Sequence, residues 1–511
     1  MKRLIFITIL CISMLNAFQS CQKDLGNYTY TNFDSLKIRG IDTAYLAYNQ
    51  KTFQIKPDLA LISGEKVDPT NYTYEWYTIN PSAAVLNDDK KKVLGNKLML
   101  DTIISLSPAN YILHLRVTSR SDNTITEFVS KLSVTSELGN GWLVLNDIDG
   151  KCRLDMLNYN LTSLKYEPYQ DILKNFARID IPGTPKLVMF LNDRDAITNK
   201  YANTVYVGTD KMTMSFNNQE NTWTNFRNLK KEVFRTTGED YHAEVIQQMG
   251  GGGNPVYILD SEGVLMQQNV TQNMVYGSTI NRLNAGVRLN ISKFIATSFG
   301  NYIAYAVVFD EKNQRFLVHS STNYTLLIPG SSDPELFTPE AMKMDLVYLE
   351  RVLTSTNQFY ALLKNPANNK LRLVRFTHQG TIFNPLAADD IENPYGMESA
   401  EHFAADPTFG YIYYTVGGKV YQYDPFNKKH SLAVDVGTRR ISKVKFQKLA
   451  FGTGNPRYND FSKKLMVCTY DPASPNTSGK MEFYGISLSG TPKLAESYTG
   501  FGKIVDVSYR E

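Results

Sequence analysis

Apolar and polar residues alternate with a period of two in short runs along the chain, and turn residues separate the runs, which is the pattern of half-buried strands. In the N-terminal part the runs are Ser35 to Ile41, Thr52 to Ile55, Tyr72 to Ile79, Lys97 to Ile104, Tyr111 to Thr118 and Thr126 to Ser133. Within Tyr72 to Ile79 the alternation puts Tyr72, Tyr74 and Trp76 on one face, and a face centred on Trp belongs inside. Tyr111, Leu113, Leu115 and Val117 form a second inward face, with His114 and Arg116 outward. Two inward faces at this spacing predict a small sandwich over 21–138.

From Gly139 onward a strand-turn-strand unit repeats. It begins near Trp142, Thr204, Pro255, Tyr302, Gln358, Tyr411 and Lys464, at intervals of about 54 residues, so the stretch to Glu511 holds about seven units. In the clearest copy Gly417-Gly418 joins two alternating strands, and Asp147-Ile-Asp149-Gly150 makes a similar hairpin. One such unit cannot bury its own apolar faces, so stacking the copies radially is the economical solution. The predicted fold is all-β: a small sandwich, then a seven-bladed β-propeller over 139–511. The last run, Ile504 to Tyr509, is placed to pair with Trp142 to Leu145 and close the first blade.

The first twenty residues differ in kind. Met1-Lys2-Arg3 precedes the apolar stretch Leu4 to Leu15, too short for a lasting membrane span and right for a secretion signal. Ser20 before Cys21 fits cleavage and lipid attachment at Cys21, which leaves 1–20 as the signal peptide; an ordinary cleaved signal with Cys21 free is the plainer alternative. Several acyl chains would anchor the product stably to a membrane surface. Lys and Arg total 54 against 50 Asp and Glu, a balance that points away from nucleic acid.

The pairing of Tyr74-Glu75-Trp76 with Asn110-Tyr111 to Val117 resembles a PKD-type, immunoglobulin-like domain. The series Cys21-Gln-Lys-Asp-Leu-Gly-Asn-Tyr-Thr-Tyr30, Trp76 and Gly141-Trp142-Leu-Val-Leu145 is similar to the PKD-like lipoproteins of Bacteroidetes. That resemblance implies an outer-membrane, surface-exposed lipoprotein whose partners are SusC- and SusD-like uptake proteins and whose ligand is an oligosaccharide or a peptide.

Candidate chemistry is sparse. HExxH, GxSxG, GxxxxGK[ST] and CxxC are all missing, and the expectation is a noncatalytic protein with no metal and no cofactor. A propeller-type glycoside hydrolase or lyase is the alternative, because such enzymes gather carboxylates from separate blades without a local motif. Asp147 to Gly150 opens like a calcium loop but lacks its spacing, and Gly250 to Gly253 lacks the Lys and Ser/Thr of a phosphate loop. Glu239-Asp240-Tyr241-His242-Ala243-Glu244 sets carboxylates beside an imidazole, and Tyr395, Glu398, Glu401 and His402 form a second group. As loops at one mouth, Tyr241, His242, Tyr395 and His402 would line a pocket; as solvated loops they would do nothing. Trp223 and Arg235 are further ligand candidates between blades two and three. With only 3 Trp in the chain, Tyr would supply most stacking. Cys152 and Cys468 are left either as two buried thiols or as one bridge between touching blades.

Overall fold

The computed structural model describes residues 35–510 apart from 50, 82–89, 107–108, 136–137, 161–162, 195–200, 218–222, 224, 249–255, 269–275, 278, 285, 298–304, 321–322, 353–357, 448–455 and 489. Cys21 and the Gly250 to Gly253 run therefore lie outside the described residues. The chain divides into two compact units, one within 1–104 and 110–133, the other within 105–109 and 134–511.

In the first unit a five-stranded sheet is ordered Ala44–Tyr48, Ile125–Thr135, Ala109–Ser119, Tyr72–Ile79, Lys91–Gly95, and two short ladders pair Leu36–Arg39 with Asp58–Leu61 and Thr52–Ile55 with Leu100–Ile103. Trp76 is buried with Leu113, Leu115 and Val117, and its indole N–H donates to the carbonyls of Lys97 and Leu98, both at 3.1 Å. The opposite face, expected to be open, is covered in part. Tyr77 and His114 stack at 4.6 Å, and Lys91 and Arg116 lie over the Tyr77 ring. A cation above a ring face shields it from water, so this polar face is half-buried.

The second unit contains, among the described residues, seven sheets of three to five strands, antiparallel except where Gly330–Ser331 pairs in parallel with Ile382–Ile391. The first combines Lys503–Arg510, Gly141–Ile148, Lys151–Asn160 and Lys165–Tyr169, so the two ends of the unit share one sheet. The other six follow in chain order. Each begins with a leading strand: Pro185–Arg194, Ala243–Gln248, Ala296–Thr297, Asp345–Val352, Phe403–Ala405 and Arg440–Lys445. In the first sheet Lys503–Arg510 holds that place and packs beside both Pro185–Arg194 and Arg440–Lys445.

Seven hydrophobic clusters lie between these sheets, one for each consecutive pair. Leu145, Met156, Val188 and Val207 join the first and second; Val308, Leu259 and Leu265 the third and fourth; Tyr360, Ile412 and Tyr414 the fifth and sixth. The last cluster joins the seventh sheet to the first, through Met466, Cys468 and Phe483 against Trp142, Ile504 and Tyr509. Every sheet is thus apolar on both faces, which explains strands such as Val256–Asp260 that are buried throughout in place of strict alternation.

The two hairpins read from sequence are present. Asp147 accepts the backbone N–H of Gly150 at 2.8 Å across the turn to Lys151. Gly417 takes φ +57, and a Cβ on Gly418 would meet the Gly437 carbonyl at 2.6 Å, so the pair serves one turn and one close approach. Cys152 and Cys468 are both free. They belong to clusters on opposite faces of the first sheet, which rules out the bridge.

Candidate functional site

Five of the leading strands carry one extra residue against their second strand. The ladder skips Lys186 between Pro185 and Leu187, Glu244 between Ala243 and Val245, Val347, Ser442 and Val505. A bulge interrupts the two-residue alternation and re-aims the side chain it adds. In the second and third sheets those side chains are charged and turn toward each other. Lys186 Nζ lies 2.6 Å from Glu244 Oε1 and 3.3 Å from His242 Nε2. Lys293, on the approach to the fourth sheet, reaches Glu244 Oε2 at 2.7 Å. His242 donates its Nδ1 proton to the Asp240 carbonyl at 2.8 Å, which leaves Nε2 facing Lys186 and, at 2.9 Å, Glu244. Burial opposes the charge on Glu244, but hydrogen bonds from Lys186 and Lys293 outweigh it and hold its carboxyl at about 2.

A matching arrangement joins the seventh and first sheets. Asp506 Oδ1 lies 3.2 Å from Lys443 Nζ and 3.4 Å from Lys445 Nζ. Burial again disfavours its charge, and the two ammonium groups, with the Val188 N–H, hold its carboxyl below the usual range. The leading strands have one edge without a ladder partner, and side chains from the next sheet supply acceptors there. Val188 N donates to Asp506 Oδ2 at 3.2 Å, Phe190 N to Ser508 Oγ at 3.0 Å, and Ala405 N to Glu350 Oε2 at 3.0 Å. The first two bonds advance together by two residues, so Lys503–Arg510 and Pro185–Arg194 run in the same direction. Each remaining leading strand is likewise antiparallel to its second strand. Lys186 and Lys293 thus share the carboxylate of Glu244 near the starts of their strands, a surplus of one positive charge, and Lys443 and Lys445, the fourth and last residues of Arg440–Lys445, share that of Asp506.

The six ligand candidates do not form one pocket. His242 is in the lysine–carboxylate group, and His402 immediately precedes the leading strand Phe403–Ala405. Burial, and secondarily the Lys443 charge, lowers the His402 pKa. Tyr241 is not a lining residue: it is buried, and its hydroxyl donates to Asp260 at 3.0 Å. Trp223 is fully enclosed, packed at 5.6 Å on Phe216 and under the Arg510 guanidinium, so it is a core residue and no loop candidate. Arg235 is engaged by Asp260 and by Glu262 at 2.7 Å, where it ties the turn after Val256–Asp260. Tyr395 is exposed but elsewhere, stacked at 5.3 Å on His430 of Lys429–Asp435, the strand of the sixth sheet furthest from Phe403–Ala405. The acidic run around His242 disperses: Asp240 pairs with Lys211 at 2.6 Å and only Glu244 turns to the imidazole. Among the described residues no three groups converge as metal ligands. Lys186, Lys293, Lys443, Lys445 and Asp506 were not foreseen, because each is a single charge in an apolar strand or beside one, and only the bulges and neighbouring sheets bring them together.

This is an all-β chain whose structural neighbours include β-propeller proteins. A quinonprotein alcohol dehydrogenase-like protein from Bacteroides thetaiotaomicron is similar at 12% identity and a TM-score of 0.40, over 92% of this chain and 95% of the other. The extracellular domain of another B. thetaiotaomicron protein gives 10% identity and 0.39, over 89% and 62%. The Cps50 (Swd1) β-propeller domain of Myceliophteria thermophila gives 7% identity and 0.36, over 66% and 94%. The PKD-like family profile matches residues 21–185. No curated protein matches the chain.

Proposed function

We propose that the chain is an outer-membrane lipoprotein held by acyl groups on Cys21, with an immunoglobulin-like sandwich followed by a seven-bladed β-propeller. On this reading the propeller binds an oligosaccharide or peptide at its axial mouth, as a noncatalytic subunit of a SusC/SusD-type uptake system. Seven sheets, and a hydrophobic cluster between every consecutive pair including the seventh and first, support the propeller. On that reading the leading strands surround the axis and share one direction, with Lys186, His242, Glu244, Lys293 and His402 at one mouth.

The observation that carries binding over catalysis is the state of the two carboxylates. Glu244 and Asp506 are each bracketed by two lysines that favour the ionised form. A glycosidase needs one carboxylic acid that keeps its proton near neutral pH, and neither group is placed for that.

Incubation of the purified protein with glycan and peptide panels tests the reading. Saturable binding without product formation, weakened by substitutions at Lys186 and Lys293, is expected. Turnover abolished by Glu244→Gln would replace it with the hydrolase. Mass spectrometry of the membrane-extracted protein checks the acyl groups on Cys21, and co-purification with a SusC/SusD pair checks the partners.

A further inference from the structure

Resting on the reading of this mouth as a ligand site, we infer that its ligand is an oligosaccharide bearing carboxylates, of the uronate class. At this mouth Lys186 and Lys293, from the second sheet and the approach to the fourth, share the one carboxylate of Glu244, which leaves one positive charge in excess; Lys443 and Lys445 share Asp506 in the same ratio between the seventh and first sheets. The excess is presented, not buried: Lys293 is 69% exposed, and Lys186, Lys443 and Lys445 are about a third or less. An ammonium has three donors. Among the described residues Lys293 bonds only to Glu244, so a second carboxylate can be added without removing the first.

Rings stand beside Lys293, at the margin of the cluster between the fifth and sixth sheets. Phe294 follows Lys293 and meets Tyr348 edge-on at 5.7 Å, and Tyr348 stacks on Phe403 at 5.3 Å. Phe294 and Phe403 are half-buried, whereas Tyr348 between them is buried. Fixed rings suit the C–H face of a pyranose, and lysines suit its carboxylate. One sugar chain with uronate residues satisfies both halves. An acidic peptide answers the charges and leaves the rings without a rigid apolar face to stack on.

Calorimetry with the folded protein tests this, using tetragalacturonate, tetramannuronate and a hyaluronan hexasaccharide, their methyl-esterified counterparts, and tetraglutamate. The expected result is that one uronate binds about tenfold or more tighter than its ester at low salt, with the gap closing as salt screens the charges. Lys186→Gln with Lys293→Gln loses about tenfold. Glu244→Gln, which frees both lysines, tightens binding, a gain that a misfolded variant cannot mimic. Unchanged thermal melts show that the variants fold. An ester or tetraglutamate binding as well as the uronates, and lost in the double variant, overturns the inference and leaves the ligand site standing. Uronate binding unmoved by either variant, or no binding by any probe, overturns both.

Discussion

Lys186 and Glu244 are each the bulged residue of their own sheet, and they meet across the gap between the two sheets at 2.6 Å. Were either strand regular, the alternation would give that residue a place in its own ladder, and the pair would have no reason to converge. The contact has a pH signature. Glu244 sits at about 2 in the folded protein against 4.5 for the ordinary group, so what it contributes to stability is complete above about pH 4.5. That contribution is lost as pH falls from there toward 2. Melting curves of wild type and Glu244→Gln are therefore expected to differ most at pH 7 and to converge at pH 2. A constant gap across the range would show that Glu244 is not ionised by its lysines.

His319 supplies a second acid-sensitive term, of different origin. It is fully buried in Arg315–Ser320; Tyr257 Oη donates to Nδ1 at 2.7 Å, and Nε2 donates to the Asn323 carbonyl at 3.0 Å. Burial pushes it down to about 4, against a weaker opposing effect of the Asn323 bond. The folded value lies below 6.5, so the unfolded chain takes up the proton first, and stability falls as pH drops from about 6.5 to about 4. The full loss is about 3 kcal/mol at 1.36 kcal/mol per pH unit. Urea unfolding at pH 7 and pH 4.5 should show this in wild type and much less of it in His319→Gln.

The repeat was legible because the second and third strands of each sheet carry it. All seven starts read from sequence fall on, or within a few residues of, second strands such as Gly141–Ile148, Val256–Asp260 and Lys464–Tyr470. The leading strands were not legible as a set. Ala296–Thr297 and Phe403–Ala405 are too short to show a period, and the bulges at Lys186, Glu244 and Ser442 break it in three others. The site lies largely on those strands, which is why His242 and His402 were picked out without their lysines. Trp223 and Tyr241 misled for a related reason. Between strands a large aromatic looks available, and only the packing of the next sheet shows it enclosed.

Both thiols are expected to be silent in the folded protein. Burial pushes Cys152 and Cys468 up to about 12, so the reactive thiolate is scarce at neutral pH. A soluble form starting after residue 21 should give two titratable sulfhydryls in denaturant without reductant, and almost none before unfolding. Rapid native labelling of either would show that its cluster opens.

The ends of the second unit meet in the first sheet, where Trp142 pairs with Tyr509 and Val144 with Val507 in register. Ile504, Val507 and Tyr509 are fully buried there, against Trp142, Met466 and Phe483. The last eight strand residues thus complete a sheet and also fill the cluster joining it to the seventh. Ile504→Ala leaves a cavity that rigid sheets on both sides cannot collapse, and is expected to cost about 3 kcal/mol. Leu488→Ala, at a residue 70% exposed, should stay within about 0.5 kcal/mol. Deleting 503–511 goes further, because it frees the edge of Gly141–Ile148 and removes one side of that cluster at once. Denaturant unfolding of the truncated chain should lose its single cooperative transition. A truncated form that unfolds as sharply as the intact protein would mean that the first sheet is held by its other strands alone.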